Sequence, residues 1–172
     1  MLTLLLLRHA KSSWDDPGID DYDRPLTKRG TKAAAAIGQY IDRSGLAPSL
    51  VLCSSAVRTR ATLTLVMREV DAAAPNVVFD EAFYLAPADV LLGRLRECEA
   101  KHKTVMIVAH NPGIHALALE LSGDGPRDHL NELAMQFPTA ALAHLKFRVA
   151  TWSAVRPATG ELADFVLPRR LD

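Results

Sequence analysis

Three short, unbroken apolar runs constrain the fold of this chain more than any other feature. They cover residues 3–7, 50–53 and 105–109, and each run ends abruptly in polar residues. A half-exposed strand alternates apolar and polar side chains, whereas a continuous apolar run is typical of a strand that is buried on both faces. Such strands need a layer of helices on each side, so the three runs predict a parallel sheet between helices.

Helical patterns lie between these runs. Thr27 is a candidate N-cap for a helix whose apolar residues recur at helical spacing, and Gly45 is a candidate stop signal. Further helices are predicted over residues 57–70 and 88–98, and another is predicted to begin near Pro112. Strands that alternate with helices favour the α/β class.

The chain length limits the architecture. A chain of 172 residues suits one domain with a single core. The segment between Arg58 and His110 must hold a helix, a short strand at 77–79, a second helix and a buried strand, which leaves no room for a cap domain. A further strand is predicted over residues 141–147. We therefore predict one three-layer α/β/α sandwich over residues 1–172, with a mainly parallel central sheet and no cap domain.

Charge and composition exclude several classes of partner. Twenty basic residues balance twenty acidic ones, so no net field attracts nucleic acid or an anionic membrane. Aromatic residues make up only 6% of the chain, and the first apolar run is too short to span a bilayer. Cys53 and Cys98 do not form a C-x-x-C pair, and we expect both to be packing residues in a reducing compartment. These features predict a cytoplasmic protein without a nucleic-acid or membrane partner.

The residues that follow the apolar runs carry the candidate chemistry. Arg8 and His9 follow the first run, Arg58 comes soon after the second, and His110 follows the third. Ligands of α/β sheets bind beyond the carboxyl ends of the strands, so these side chains are expected to meet at one edge. Arginine grips phosphate oxygens, and neutral imidazole can attack phosphorus without help from a metal.

Simpler explanations exist for each residue alone. A single histidine at a strand end is more often structural than nucleophilic, but two histidines beside two arginines repel one another unless an anion binds. The same cations would lower the pKa of His9 and keep it unprotonated. Ser54 and Ser55 lack the context of a serine nucleophile. The polar loop at residues 15–23 holds five aspartates and is better explained as a solvated loop than as a metal site.

Four ordered motifs between about residue 4 and residue 122 resemble those of the histidine phosphatase superfamily, which is phosphoglycerate mutase-like. Within that superfamily, the chain resembles the SixA-type phosphohistidine phosphatases. The motifs are Arg8-His9, Arg24-Pro25-Leu26-Thr27 with Gly30, Ser54-Ser55 with Arg58 and Thr62, and His110. One motif alone would be weak support, whereas four in register are specific.

The resemblance implies a role for each matching residue. His9 would be the nucleophile that forms a covalent phosphohistidine, Arg8 and Arg58 would hold the phosphate, and His110 would hydrogen-bond to the transferring phosphoryl group. Arg24 stands just before Pro-Leu-Thr and is a candidate phosphate contact. No cofactor or metal is implied.

Two positions depart from the usual pattern. Ala10 replaces the glycine that commonly follows the first histidine, which adds a single methyl group. Glu81 lies where superfamily members that act on alkyl esters often place a general acid, although a surface carboxylate explains it as well. Phosphohistidine leaves as neutral imidazole and does not need a strong acid, so we hold Glu81 only as a possible general acid.

An uncapped site can admit a phosphorylated side chain of another protein. We therefore expect phosphohistidine on a protein as the substrate and inorganic phosphate as the product. The alternative is a small-molecule phosphomonoesterase or mutase of the same superfamily, and a non-catalytic phosphoprotein-binding module is less favoured because it would need no nucleophile. The sequence leaves the oligomeric state open.

Overall fold

The computed structural model describes residues 1–171 and contains a seven-stranded sheet with five α-helices. The strands are β1 (Leu2–Arg8), β2 (Leu50–Ser54), β3 (Asn76–Asp80), β4 (Thr104–Ala109), β5 (Ser122–Asp124), β6 (Leu142–Phe147) and β7 (Gly160–Val166). The helices are α1 (Lys28–Arg43), α2 (Val57–Arg68), α3 (Ala88–Arg96), α4 (Gly113–Leu121) and α5 (Arg127–Met135).

The sheet order places the predicted strands at its centre. The order is β3-β2-β4-β1-β6-β7-β5, in which β1 to β4 are mutually parallel and β6 runs antiparallel to both β1 and β7. Arg8 pairs with Ala109, and Cys53 pairs with Val108. The residues that follow β1, β2 and β4 therefore lie at the same level of one sheet edge.

Alternate residues of β1 contribute to two separate cores. Leu4 and Leu6 pack in the core that includes buried residues of α3 and α4, whereas Leu5 and Leu7 pack in the core that includes those of α1 and α2. Burial on both faces explains why the run has no polar alternation. The predicted three-layer α/β/α sandwich with a mainly parallel sheet is confirmed.

The start of α1 holds the loop after β1 in place. The Thr27 side chain accepts a hydrogen bond from the Gly30 amide at 3.0 Å, as an N-cap should. Thr27 also donates its amide to the carbonyl oxygen of Lys11 at 2.9 Å. A Cβ atom at Gly30 would lie 2.2 Å from that same oxygen, so only glycine allows the two segments to approach so closely.

Some elements differ from the predictions. Helix α2 ends at Arg68 and α3 ends at Arg96, two residues earlier than predicted in each case. Helix α5 and strand β7 were not predicted. Leu133 is the only residue of α5 that is fully buried, so little of this short helix belongs to the core. A register shift in the pairing of β6 with β7 interrupts the alternation of buried residues along β7. No helix among residues 1–171 has the length and apolar character needed to cross a membrane.

Candidate active site

The structure brings the four predicted side chains together at the carboxyl ends of the central strands. Arg8, His9, Arg58 and His110 line a cavity of about 190 Å³ at the carboxyl edge of the sheet. His9 follows β1, His110 follows β4, and Arg58 lies in the first turn of α2. The His9 and His110 rings are 5.3 Å apart between centroids. The predicted cluster therefore forms, with its members in one small space.

The hydrogen bonds around His9 determine which of its nitrogens holds a proton. Its Nδ1 lies 2.8 Å from the carbonyl oxygen of Ala10. Because a carbonyl oxygen only accepts hydrogen bonds, Nδ1 must be the donor, and the neutral ring therefore carries its free electron pair on Nε2. The Ala10 amide in turn donates to Thr62 Oγ1 at 2.9 Å, which holds this loop against α2. Ala10 itself is fully buried, so the chain accommodates the extra methyl group.

His9 is held in its neutral form. Burial is the largest influence and lowers the pKa of His9, while the hydrogen bond to Ala10 raises it. The positive charges of Arg58 and Arg8 and the nearby His110 lower it further, and the resulting pKa is about 3. The side chain is 6% exposed. At neutral pH, Nε2 is therefore available as a nucleophile.

His110 is also buried and neutral. Its Nε2 lies 2.8 Å from Ser54 Oγ, and its ring forms a T-shaped pair with the Tyr84 ring, with 5.4 Å between centroids. Burial and the Arg58 charge lower the pKa of His110 to about 4, although the Asp21 carboxylate acts in the opposite direction. Ser54, the first residue of the Ser54-Ser55 motif, orients this second histidine.

Three buried polar atoms in the cluster have no hydrogen-bond partner among residues 1–171. They are Arg8 Nε, Arg58 Nε and His110 Nδ1. A buried donor without a partner costs about 1–3 kcal/mol, so native proteins rarely leave several together unless a ligand pairs with them. A tetrahedral anion offers several acceptor oxygens to such a cluster. The arrangement is suited to bind a phosphoryl group.

Comparisons with known proteins agree with this geometry. The family profile of the histidine phosphatase superfamily (branch 1) matches residues 4–83. An uncharacterised protein of Mycobacterium leprae is 35% identical over 167 residues, which cover 95% of this chain and 100% of the relative. The solved structure of a candidate phosphohistidine phosphatase SixA from Agrobacterium tumefaciens is 30% identical, has a TM-score of 0.81, and is covered to 98%, with 97% of this chain aligned. The chain belongs to the histidine phosphatase superfamily.

A second SixA candidate, from Nakamurella multipartitia, has a TM-score of 0.82 at 30% identity over 97% of this chain and 96% of that one. Both structural relatives span nearly the whole of this chain. This superfamily member therefore has the SixA-type fold along its length, including the region beyond residue 83 that the family profile does not match.

Asp21 is a site residue that the sequence reasoning missed. Arg58 donates from Nη1 to the Asp21 carbonyl oxygen at 2.6 Å and from Nη2 to Oδ2 at 3.0 Å, and Tyr84 also donates to Oδ2. Burial would raise the pKa of Asp21, but the bonds from Tyr84, Arg58 and Arg24 outweigh it and lower the pKa to about 2. Asp21 lies in a loop of five aspartates with no regular spacing, so no sequence signal distinguished it.

Arg24 lines the cavity with its guanidinium engaged on two sides. It donates from Nε to Asp21 Oδ1 at 3.0 Å, and its Cζ lies 3.4 Å from the centroid of the Trp14 ring. Trp14 and Lys11 also line the cavity. The structure thus places Arg24 at the cavity, where its role as a phosphate contact stays a prediction.

Glu81 lies apart from this group. It begins a short 3₁₀ turn (Glu81–Phe83), is exposed to solvent, and does not line the cavity of the four predicted residues. None of the described residues that line this cavity is an aspartate or a glutamate. The role of Glu81 as a general acid stays a prediction without geometric support.

Within residues 1–171, no group of three or more histidine, cysteine, aspartate or glutamate side chains is arranged to hold a metal ion. The aspartate loop uses Asp21 to hold arginines instead.

Proposed function

We propose that this protein hydrolyses phosphohistidine on another protein, and that the phosphoryl group passes through a covalent intermediate on Nε2 of His9. One observation carries the proposal. The Nδ1–H of His9 is engaged by Ala10, which leaves Nε2 as the unprotonated nitrogen beside the buried donors of Arg8, Arg58 and His110. Phosphoryl transfer requires mainly this kind of positioning and charge stabilisation.

In the first step, His9 Nε2 attacks phosphorus in line with the leaving group. The new Nε2–P bond forms as the P–N bond of the substrate breaks, and the two electrons of that bond stay with the substrate imidazole. Arg8 and Arg58 hold the phosphoryl oxygens. The proposal places the proton of His110 on Nδ1, with Nε2 accepting a hydrogen bond from the Ser54 hydroxyl 2.8 Å away, so that the Nδ1–H can stabilise the developing charge.

In the second step, water attacks the phosphoryl group on His9. A P–O bond forms, the Nε2–P bond breaks, and the electron pair returns to Nε2, while the proton of the water passes to the phosphate or to solvent. Inorganic phosphate leaves and His9 is regenerated. The low pKa of His9 favours this step because the ring departs in its neutral form.

The absence of a carboxylic acid from the described cavity lining supports phosphohistidine over an alkyl ester as the substrate. An alkoxide needs a proton from an acid as it leaves, whereas a phosphohistidine ring that already carries its other proton departs as neutral imidazole. Asp21, whose carboxylate contacts Arg24 and Arg58, is ionised above a pKa of about 2 and cannot donate a proton at neutral pH. The assignments of the two SixA candidates agree with this preference.

The test compares two substrates at equal concentration, a phosphohistidine peptide and an alkyl phosphate. We expect phosphate release from the peptide at a rate at least about a hundredfold higher, since a missing general acid costs about 10²–10⁴ in rate for the ester. Rapid quenching should trap a phosphoenzyme that is labile in acid and stable in alkali. His9→Ala should abolish both signals, while His102→Ala, a histidine outside the cavity, should keep them.

Other outcomes identify the alternatives. Faster turnover of the ester, lost in Glu81→Gln, would assign a small-molecule phosphatase instead. Binding of the peptide without turnover would assign a phosphoprotein-binding module. Full turnover by His9→Ala, or an acid-stable adduct, would refute the mechanism itself.

A further inference from the structure

A second cavity adjoins the catalytic one and is lined by cations. We define the basic groove by Lys11, Arg29, Lys32 and Arg169, which line a cavity of about 290 Å³. Lys11 and Thr139 line both cavities, so the two lie side by side. The four cations are exposed, and the part of the chain that the structure describes forms no salt bridge with them and supplies no acidic residue to this lining.

This concentration of positive charge is unusual for a chain with no net charge. Arg170, the neighbour of Arg169, donates to both carboxylate oxygens of Glu132. Arg94 likewise pairs with two carboxylates. The four cations of the basic groove repel one another, and no carboxylate among residues 1–171 pairs with them, so the fold gains no stability from bringing them together. An anionic partner explains the arrangement better than a solvated surface does.

The floor of the basic groove indicates what kind of anion fits. Leu167 is buried at its base, and Ala33, Pro138 and Pro168 supply further apolar surface. A free phosphate ion would gain nothing from an apolar floor. An extended peptide that carries both aliphatic and acidic side chains matches the floor and the walls together.

The basic groove is connected rigidly to the nucleophile. Lys11 is two residues after His9, and its carbonyl oxygen accepts hydrogen bonds from the Thr27 amide at 2.9 Å and from Thr27 Oγ1 at 3.3 Å. Thr27 caps α1, the helix that carries Arg29 and Lys32. A chain seated in the basic groove is therefore held at a fixed position relative to the catalytic cavity.

We propose that the basic groove binds an acidic segment of the phosphoprotein substrate while the phosphohistidine of that protein occupies the catalytic cavity. This inference rests on the proposed function. It makes the groove a specificity element that distinguishes protein substrates by the charge beside their phosphohistidine, since charges at the edge of an interface mainly change the association rate and its dependence on salt.

The test uses three probes: a phosphohistidine peptide with flanking Asp and Glu, the same peptide with Asn and Gln in their place, and N-phosphoimidazole. Arg29→Glu/Lys32→Glu should lower kcat/KM about tenfold for the acidic peptide and less than about twofold for the other two probes. Arg169→Glu should have an effect of the same kind. Arg148→Glu, at an exposed cation that lines a cavity with Met1 beyond the opposite end of β1, should change none of them.

Two controls separate this inference from its premise. In the unmodified protein, raising the salt concentration to about 1 M should remove the advantage of the acidic peptide over the neutral one. An unchanged kcat/KM for the acidic peptide in both groove variants would refute the docking role, and so would an equal loss with all three probes. If the proposed function is wrong, the unmodified protein will fail to turn over any of the three, a result that is distinguishable from either of these.

Discussion

Acidification should destabilise the folded protein through its two buried cavity histidines, His9 and His110. The pKa of His9 is about 3 and that of His110 is about 4 in the folded state, whereas the imidazole of an unfolded chain has a pKa of about 6.5. Between these values, the unfolded chain binds a proton at each position and the folded protein does not. Stability therefore rises with pH through this window and is lost as the pH falls from about 6.5 towards 3 or 4.

The expected size follows from proton linkage. Between pH 7 and pH 5, an unfolded histidine carries on average about 0.7 of a proton, and each proton contributes about 1.36 kcal/mol per pH unit to the free energy of unfolding. Over two units this amounts to about 2 kcal/mol for each of the two histidines. Their 6% and 1% exposure means that solvent screening reduces these figures only slightly.

Urea unfolding at pH 7 and at pH 5, in buffer free of phosphate, measures this effect. The unmodified protein should lose about 2 kcal/mol more on acidification than His9→Asn or His110→Asn, because each variant lacks one of the two linked groups. Burial also lowers the pKa of His144, but this group is present in all three proteins and cancels from the comparison. An equal loss in His9→Asn and the unmodified protein would show that His9 titrates normally in the fold, and the argument for a neutral nucleophile would fail.

Two further predictions concern residues around the cluster. Asp21→Asn removes the charge that holds Arg58. Because the Asp21 side chain is 38% exposed, we expect the free energy that positions Arg58 to fall by about 1 kcal/mol and kcat/KM to fall about tenfold. Steady-state kinetics on the phosphohistidine peptide would check this, and an unchanged kcat/KM would contradict it. Gly30→Ala should lower the free energy of unfolding by about 1–3 kcal/mol because its methyl group meets the Lys11 backbone. Gly93→Ala in α3, where an added Cβ would meet no atom of the described chain within 4 Å, should not destabilise the protein. Thermal melts of the two glycine variants and the unmodified protein would measure this difference.

The central strands and the cluster beyond them were predictable because one physical cause underlies both. The runs that became β1, β2 and β4 lack alternation because both of their faces are buried, and parallel pairing then brings the residues after them to one edge. The positions of His9 and His110 follow from this without further information. The peripheral elements β7 and α5 were not predictable, since their burial depends on neighbours distant in sequence.

The role of Asp21 could not be predicted because it depends on the charge balance of the whole cluster. Arg8, Arg24 and Arg58 place three positive charges beside two neutral imidazoles. The Asp21 carboxylate is shared between Arg24 and Arg58 and compensates only part of this charge, while Asp21 holds Arg58 by two hydrogen bonds. Arg58 Nε and Arg8 Nε remain without partners, so the cluster keeps donors for a phosphoryl group. The proposed reaction binds a phosphoryl group and then releases phosphate, and partial compensation suits both steps, because full neutralisation would weaken substrate binding and an uncompensated cluster would retain the product. The compensating carboxylate has to approach Arg58 from outside the cavity, and only the folded loop determines which of the five aspartates does so.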